Sequence, residues 1–252
     1  MSASTGYDAI AWVYRRHWGA FAARRFLPVL ERLLFPHLPP HAHILDLGCG
    51  TGNVARALTE KGYRVTGVDL AAAMVQQARQ VAPQATCVHH DMCTFRQPGA
   101  FHAAIAVFAT FNHLPDLEAW RACLQNTRRN LKPGGWLLFD FNTPDRLATQ
   151  WSGTEVVVEE DMVVIARGAY DPESQTATTE ITAFRPQGAL WQRDDAVLRL
   201  RGIAEADVRR VLRDVGFAEI AFHPTARPSG EPGRIFVLAR APQPGGRPHE
   251  SR

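Results

Sequence analysis

Two carboxylates and three glycines are the residues whose types and spacing amount to chemistry in this chain. Ile44, Leu45 and Leu47 form a short apolar run suited to a buried parallel strand. Asp46 sits near the tip of that run, and Gly48, Gly50 and Gly52 follow at alternate positions. A strand handing over to a helix near Asn53 needs glycine there, because the turn is tight and a ligand must approach main-chain N–H groups. Asp69 comes 21 residues after Gly48, at the end of a second apolar run, Tyr63–Val68. That separation suits a carboxylate that grips the two hydroxyls of a ribose. The pattern implies a nucleoside-containing ligand at the end of a parallel sheet.

Asp46 discriminates between the candidates. A dinucleotide would bring a doubly negative pyrophosphate to this turn, and a carboxylate at the strand tip repels it. S-adenosylmethionine brings an ammonium and a sulfonium, which a carboxylate attracts. The register Gly50-x-Gly52-x-x-Ala55 also fits a dinucleotide fingerprint, so an NAD(P)-dependent oxidoreductase stays open as an alternative. A third alternative is a protein that binds the methyl donor without using it.

These residues must be held by an alternating chain. Strands are predicted near 42–47, 63–69, 84–89, 101–108 and 135–141, and helices near 53–61, 71–80 and 116–131. The order gives a parallel α/β sheet with right-handed crossovers and helices on both faces; with a closing strand pair near the C-terminus the expectation is a doubly wound, seven-stranded, mostly parallel, Rossmann-like sheet. Ligands on such sheets lie at the carboxyl ends of the strands, where the strand order reverses. Before the sheet, Tyr7–Leu34 carries Ile10, Val13, Tyr14, Trp18, Phe21, Phe26, Leu30, Leu33 and Leu34 at mostly helical spacing, with Pro28 as a kink or a second start. After Thr143 the pattern changes to three strands, 155–165, 176–184 and 189–200, joined by turn signals as an antiparallel meander. Ala204–Val215 reads as an amphipathic helix ending at Gly216, followed by a strand pair, Glu219–His223 and Arg234–Ala239. The domains expected are a helical segment over 1–40, a core of 41–145 and 202–240, an inserted antiparallel subdomain over 146–201, and an unstructured tail over 241–252. Residues 1–6, small and polar, are expected to be disordered.

Asp46-Leu-Gly-Cys-Gly-Thr-Gly52 followed by Val65-Thr-Gly-Val-Asp-Leu70 resembles the class I S-adenosylmethionine-dependent methyltransferases. His90-Asp-Met92 is similar to their adenine-contacting segment, and Leu131-Lys-Pro-Gly-Gly-Trp-Leu-Leu-Phe-Asp140 to their turn into the fifth strand. The motifs stand in the family's order over roughly residues 40–142. The resemblance implies S-adenosyl-L-methionine as cofactor, bound by Tyr14, Asp46, Gly48, Cys49, Gly50, Gly52, Asp69, Leu70, Met74, Asp91, Met92 and Phe108. Leu70 and Met74 would wall the adenine, with Met74 equally placed as ordinary core, and Asp91 would accept from the adenine amino group. N-terminal helices in this family often fold over the cofactor, so 1–40 is expected either as such a lid or as a helix packed on the sheet. Tyr7 and Tyr14 are its candidates to bond the donor's carboxylate.

The loop Phe108-Ala-Thr-Phe-Asn-His-Leu-Pro115 occupies the place that, in the resembled family, faces the transferred methyl. It lacks the Asn-Pro-Pro-aromatic and Pro-Cys signatures of base methylases, which argues against nucleobase amines and a cysteine nucleophile. His113 is the candidate general base for an oxygen or nitrogen nucleophile, the alternative being a histidine that shapes the loop, and Tyr14 is the second catalytic candidate. The meander resembles that of a small-molecule subgroup whose extra strands roof the acceptor site. Trp151, Tyr170, Phe184, Arg185, Trp191 and Arg193 are its candidate acceptor contacts. Methyl transfer to an O or N atom by direct displacement is the activity implied, with a small molecule as acceptor and a homodimer left open.

Composition sets the remaining bounds. A net charge of +3 over 252 residues gives no basic footprint for nucleic acid. Cys49, Cys87, Cys93 and Cys123 are spaced neither as a zinc site nor as a disulfide scaffold, and read as reduced thiols. Asp140-x-Asn142 offers two oxygen ligands, too few to predict a metal. With neither a signal pattern nor a membrane-length apolar run, a soluble cytoplasmic protein is expected.

Overall fold

The computed structural model describes residues 6–225 and 233–243. The expected disorder of residues 1–6 (Gly6 excepted) and most of the tail expected over 241–252 lie outside these. The first strands form as their composition dictates: β1 (His43–Leu47), β2 (Arg64–Asp69), β3 (Thr86–His89) and β4 (Phe101–Ala106). They join β5 (Leu131–Asn142), β10 (Ala218–Pro224) and β11 (Arg234–Arg240) in a seven-stranded sheet of order β10-β11-β5-β4-β1-β2-β3. β1 to β5 pair in parallel, whereas β11 runs antiparallel to β5 and β10 antiparallel to β11. The doubly wound, mostly parallel sheet read from the sequence is therefore the architecture observed. The order reverses between β1 and β4.

Both faces of the sheet are covered, which is why its strands read as continuous apolar runs. On one face α5 (Leu117–Asn130) and α7 (Glu205–Val215) pack Trp120, Leu124, Val208 and Leu212 against Leu137, Phe139 and Phe141 of β5. On the other, α2 (Gly19–Leu33) and α3 (Asn53–Glu60) pack Phe26, Leu30, Val54 and Leu58 on Ile44, Ile105, Leu138 and Phe236. α4 (Ala72–Val81) follows β2. Gly216 ends α7 in the left-handed conformation expected of a glycine cap.

Two expectations need correction. The N-terminal helix is not broken at Pro28, which sits inside α2. It is broken at Tyr14–Trp18, one π-helical turn between α1 (Gly6–Val13) and α2, where the Gly19 N–H reaches back to the Tyr14 carbonyl. The meander has four strands, not three: β6 (Gly153–Glu159), β7 (Met162–Asp171), β8 (Thr176–Gln187) and β9 (Leu190–Arg201), antiparallel in that order. The run 155–165 conceals a hairpin, because Glu159 pairs directly with Met162 across a turn at Glu160–Asp161 that lacks glycine and proline. A further helix, α6 (Pro144–Gln150), capped by the Thr143 side chain, links the two sheets.

The second sheet packs on the N-terminal helix. Met162, Val164, Ile181, Ala183 and Leu198 bury one of its faces against Ile10 and Val13 of α1. Among the described residues no helix is long and apolar enough to cross a membrane.

Candidate active site

A cavity of about 440 Å³ opens at the carboxyl ends of β1, β2 and β4, beside the point where the strand order reverses. Its floor is the turn after β1. The Gly48 and Cys49 N–H groups both donate to the Val68 carbonyl, at 2.8 and 3.1 Å, and so pin the turn to the end of β2. Gly48 has φ +68°, and a Cβ there would lie 2.6 Å from Thr110 Cγ2. Gly50, at φ +53°, has open space where its side chain would be. Asp69 holds the turn from the other side, Oδ2 accepting the Gly50 N–H at 2.8 Å and Oδ1 the Ala71 N–H at 2.9 Å. Burial raises the Asp69 pKa, and these two N–H bonds oppose the rise.

Asp46 is 1% exposed, lines the cavity, and its Oδ2 has no hydrogen-bond partner among the described residues. Burial pushes its carboxyl well above the usual aspartate range, and nearby Cys87 and Asp69 add to the rise. A buried carboxylate oxygen left without a donor is costly. Cys49 also lines the cavity, packed over Gly67 beside Cys87. Gly52 does not line it. Gly52 begins α3 at φ +79°, and a Cβ there would meet the Ala78 backbone at 2.9 Å, so it sets how closely α3 approaches α4.

Leu70, Met74, Asp91 and Met92 line one flank. Leu70 is 48% exposed, whereas Met74 is 2% exposed and packs with Ala11 and Ala71. Asp91 Oδ1 accepts the Cys93 N–H at 2.8 Å.

The opposite end brings together residues far apart in sequence. α1 crosses the cavity: Asp8 Oδ1 accepts the Ala73 N–H at the start of α4, and Tyr7 Oη lies 2.8 Å from His113 Nε2. His113 Nδ1 lies 2.8 Å from the Arg199 carbonyl of β9. A carbonyl can only accept, so Nδ1 carries the proton, and the neutral ring accepts the Tyr7 hydroxyl at Nε2. His113 is half-buried on the cavity wall, and burial pushes its pKa down to about 4 against the opposing Arg199 bond. The Tyr7 phenol is raised by burial, then by Tyr14, and burial pushes Tyr14 up to about 12. The Tyr7 and Tyr14 rings meet edge-on with centroids 5.4 Å apart. Phe108, at φ +69°, lines the cavity and meets Phe26 edge-on.

The structure thus brings Tyr7, Tyr14, Asp46, Gly48, Cys49, Gly50, Asp69, Leu70, Met74, Asp91, Met92, Phe108 and His113 to one cavity. None of the six acceptor candidates from the second sheet lines it. Trp151 and Tyr170 pack with Ala109, Leu147, Ala177 and Leu200, and the Trp151 indole donates to Thr179 Oγ1. Arg185 stacks over Trp12, Phe184 is half-buried, Trp191 is exposed, and Arg193 pairs with Asp195. The second sheet instead contributes Val197, Leu198 and Arg199, and the first helix contributes Gly6. No local signal marked Val197–Arg199, because strand alternation tells which residues share a face but not what that face meets.

A family model described as a methyltransferase domain matches residues 44–135. A ubiquinone biosynthesis O-methyltransferase of Chromobacterium violaceum is 31% identical over 176 residues, 65% of this chain and 73% of that protein. A dTDP-3-amino-3,4,6-trideoxy-alpha-D-glucopyranose N,N-dimethyltransferase of Streptomyces venezuelae is 28% identical over 141 residues, 56% of this chain and 59% of the relative. Among solved structures, S-adenosylmethionine-bound CalS10, an amino pentose methyltransferase of Micromonospora echinaspora, superposes with a TM-score of 0.74 at 24% identity, covering 91% of this chain and 96% of that one. The chain belongs to the S-adenosylmethionine-dependent methyltransferases. The oxidoreductase and donor-sensor alternatives give way to an enzyme of that class.

Proposed function

We propose that this enzyme methylates an oxygen or nitrogen atom of a small-molecule acceptor, and that the cavity at the β1–β4 switch point holds the donor. The observation that carries the assignment is Asp46: an orphaned, buried carboxylate oxygen facing the cavity, where the donor's ammonium would supply the missing hydrogen bond. Asp69 keeps spare lone pairs for the ribose hydroxyls beyond its two backbone bonds. Leu70 and Met74 would wall the adenine, Asp91 and Met92 its edge, and Gly48, Cys49 and Gly50 would let the methionine portion approach the main chain. Gly52 acts in this reading only by seating α3.

When bound, the donor supplies a methyl carbon activated by a sulfonium, with a neutral thioether as leaving group. The chain's own work is alignment and exclusion of water. α1 and the π turn serve as the lid, tied down through Tyr7–His113 and Asp8–Ala73. β6–β9 serve as a roof that acts through α1 and through Val197–Arg199. His113 is uncharged near neutrality, so its Nε2 lone pair can take a proton from the nucleophile, with Tyr7 Oη as relay. Tyr14 steadies Tyr7 in this scheme.

The two relatives named above support a small-molecule acceptor, one being named for an O-methylation and the other for an amino-sugar N-methylation. Four free thiols support the reducing cytoplasm as the compartment. Incubation with labelled donor and a panel of small amines, phenols and amino sugars tests the proposal. Label transfer to one class fixes the acceptor, and tight donor binding without transfer to any would overturn it.

A further inference from the structure

The motif Phe139-Asp-Phe-Asn-Thr143 is not consumed by the donor site: Asp140 and Asn142 are fully buried and line no part of the cavity. Asp140 faces the turn that leaves β4. Its two oxygens lie 3.2 and 3.1 Å from the Ala109 nitrogen and accept that N–H. Phe108 and Ala109 are consecutive non-glycine residues with φ of +69° and +60°. Turned toward β5 by that conformation, the Ala109 N–H offers an anion its hydrogen bond. Asp140 supplies the anion, and Arg234 of β11 pairs with it from behind while lying over the Phe26 ring.

The far end of the same segment is clamped by Asn142. Its N–H donates to Asn112 Oδ1 at 2.9 Å and its carbonyl accepts from Asn112 Nδ2 at 3.0 Å, while Nδ2 also reaches the Arg201 carbonyl. These two clamps bracket a segment whose Phe108, Thr110 and neighbouring His113 are all on the cavity wall, with Thr110 against Gly48.

We propose that Asp140 is a positioning residue: its carboxylate, paired with Arg234, holds Phe108–Ala109 in the left-handed conformation and so sets the Phe108–His113 wall against the donor. Two side chains in that conformation are unfavourable by themselves and persist only where the surroundings over-determine them. β5 therefore takes part in the site from outside it, through the Asp140 side chain at one point and the Asn142 main chain at the other.

The test uses the full chain, with S-adenosylhomocysteine as probe and hydrogen exchange read by mass spectrometry. In Asp140→Asn, amide exchange over residues 108–113 is expected to rise at least tenfold with β1–β3 unchanged, and probe affinity to fall about tenfold. Adding Ala109→Gly should recover most of that affinity, because glycine holds the conformation without the carboxylate, whereas in the wild type it should change affinity less than twofold. Unchanged exchange over 108–113 in a folded Asp140→Asn overturns the proposal. If that variant does not fold, the same measurements are made on Asp140→Asn/Arg234→Met, which leaves no guanidinium buried opposite a neutral side chain. Exchange rising equally through the whole sheet, or failure of both variants to fold, overturns it too, since the pair would then support the core and not this turn. Wild-type protein that does not bind the probe would sink the donor-site assignment and leave the exchange result to decide this one.

Discussion

Asp46→Asn separates the donor-binding reading from a structural one, because the two predict opposite signs for stability. The substitution keeps the shape of the side chain and removes its charge. A carboxylate and an ammonium about 4 Å apart attract by about 4 kcal/mol at an effective dielectric of 20. Desolvation of the pair reduces the net, and a hydrogen bond to a charged group typically contributes about 1.5–3 kcal/mol. Affinity for S-adenosylhomocysteine is therefore expected to fall about 10- to 150-fold. Affinity for 5′-methylthioadenosine, which lacks the amino-acid tail, should change less than threefold. Calorimetry with both ligands gives the comparison.

The empty protein should respond the other way. Burial raises the Asp46 carboxyl in the fold, so its ionised form opposes folding at neutral pH. That opposition is absent below the unfolded value of about 4 and grows as pH rises through the raised folded value. Asp46→Asn should then raise the melting temperature at pH 8 and raise it less as pH falls toward 4. Equal loss of affinity for both ligands, or a lower melting temperature at pH 8, would refute the reasoning.

Other outcomes can be checked with the same tools. Asp69→Ala removes the acceptor of the Gly50 and Ala71 N–H groups together with the ribose contact, so probe affinity should drop at least 100-fold, or about 3 kcal/mol; unchanged affinity in calorimetry contradicts the assignment. His113→Asn should slow turnover with donor affinity within threefold, and wild-type turnover should stay level from pH 8 to 5 and fall near pH 4, where the imidazole protonates. Because the folded histidine is depressed, its contribution to stability is present above the unfolded value of about 6.5 and lost as pH falls toward 4. Melting curves of His113→Asn should lack that component. Phe26→Ala empties a fully buried site between Phe108, Phe236 and Arg234 and should cost about 3–5 kcal/mol in urea unfolding.

The donor half of the site was legible because it is local. Asp46, Gly48 and Gly50 lie within five residues, and Asp69 ends the neighbouring strand, so parallel pairing of β1 with β2 is enough to bring them together. The hairpin inside 155–165 was missed because Glu160–Asp161 carries neither glycine nor proline, and the Val/Ile-rich runs on either side read as one strand. The break at Tyr14–Trp18 was missed because a π turn has no breaker residue, whereas Pro28, the obvious breaker, is accommodated inside α2.

The acceptor half was not legible: none of the six aromatic and arginine residues chosen for their type lines the cavity, Trp151 and Tyr170 packing under the second sheet and Trp191 standing exposed. The sequence by itself determined the order of strands and helices, the glycine turn and the two acids that flank it, because each follows from residue type and spacing along a few adjacent positions. Only the tertiary structure decided that Tyr7 meets His113, that Arg199 lends its carbonyl to that histidine, and that Asp140 reaches back to Ala109. Those contacts join residues 106, 86 and 31 positions apart. They depend on how α1, β9 and β5 dock, and docking is set by the summed burial of three apolar faces, a quantity that no local pattern contains.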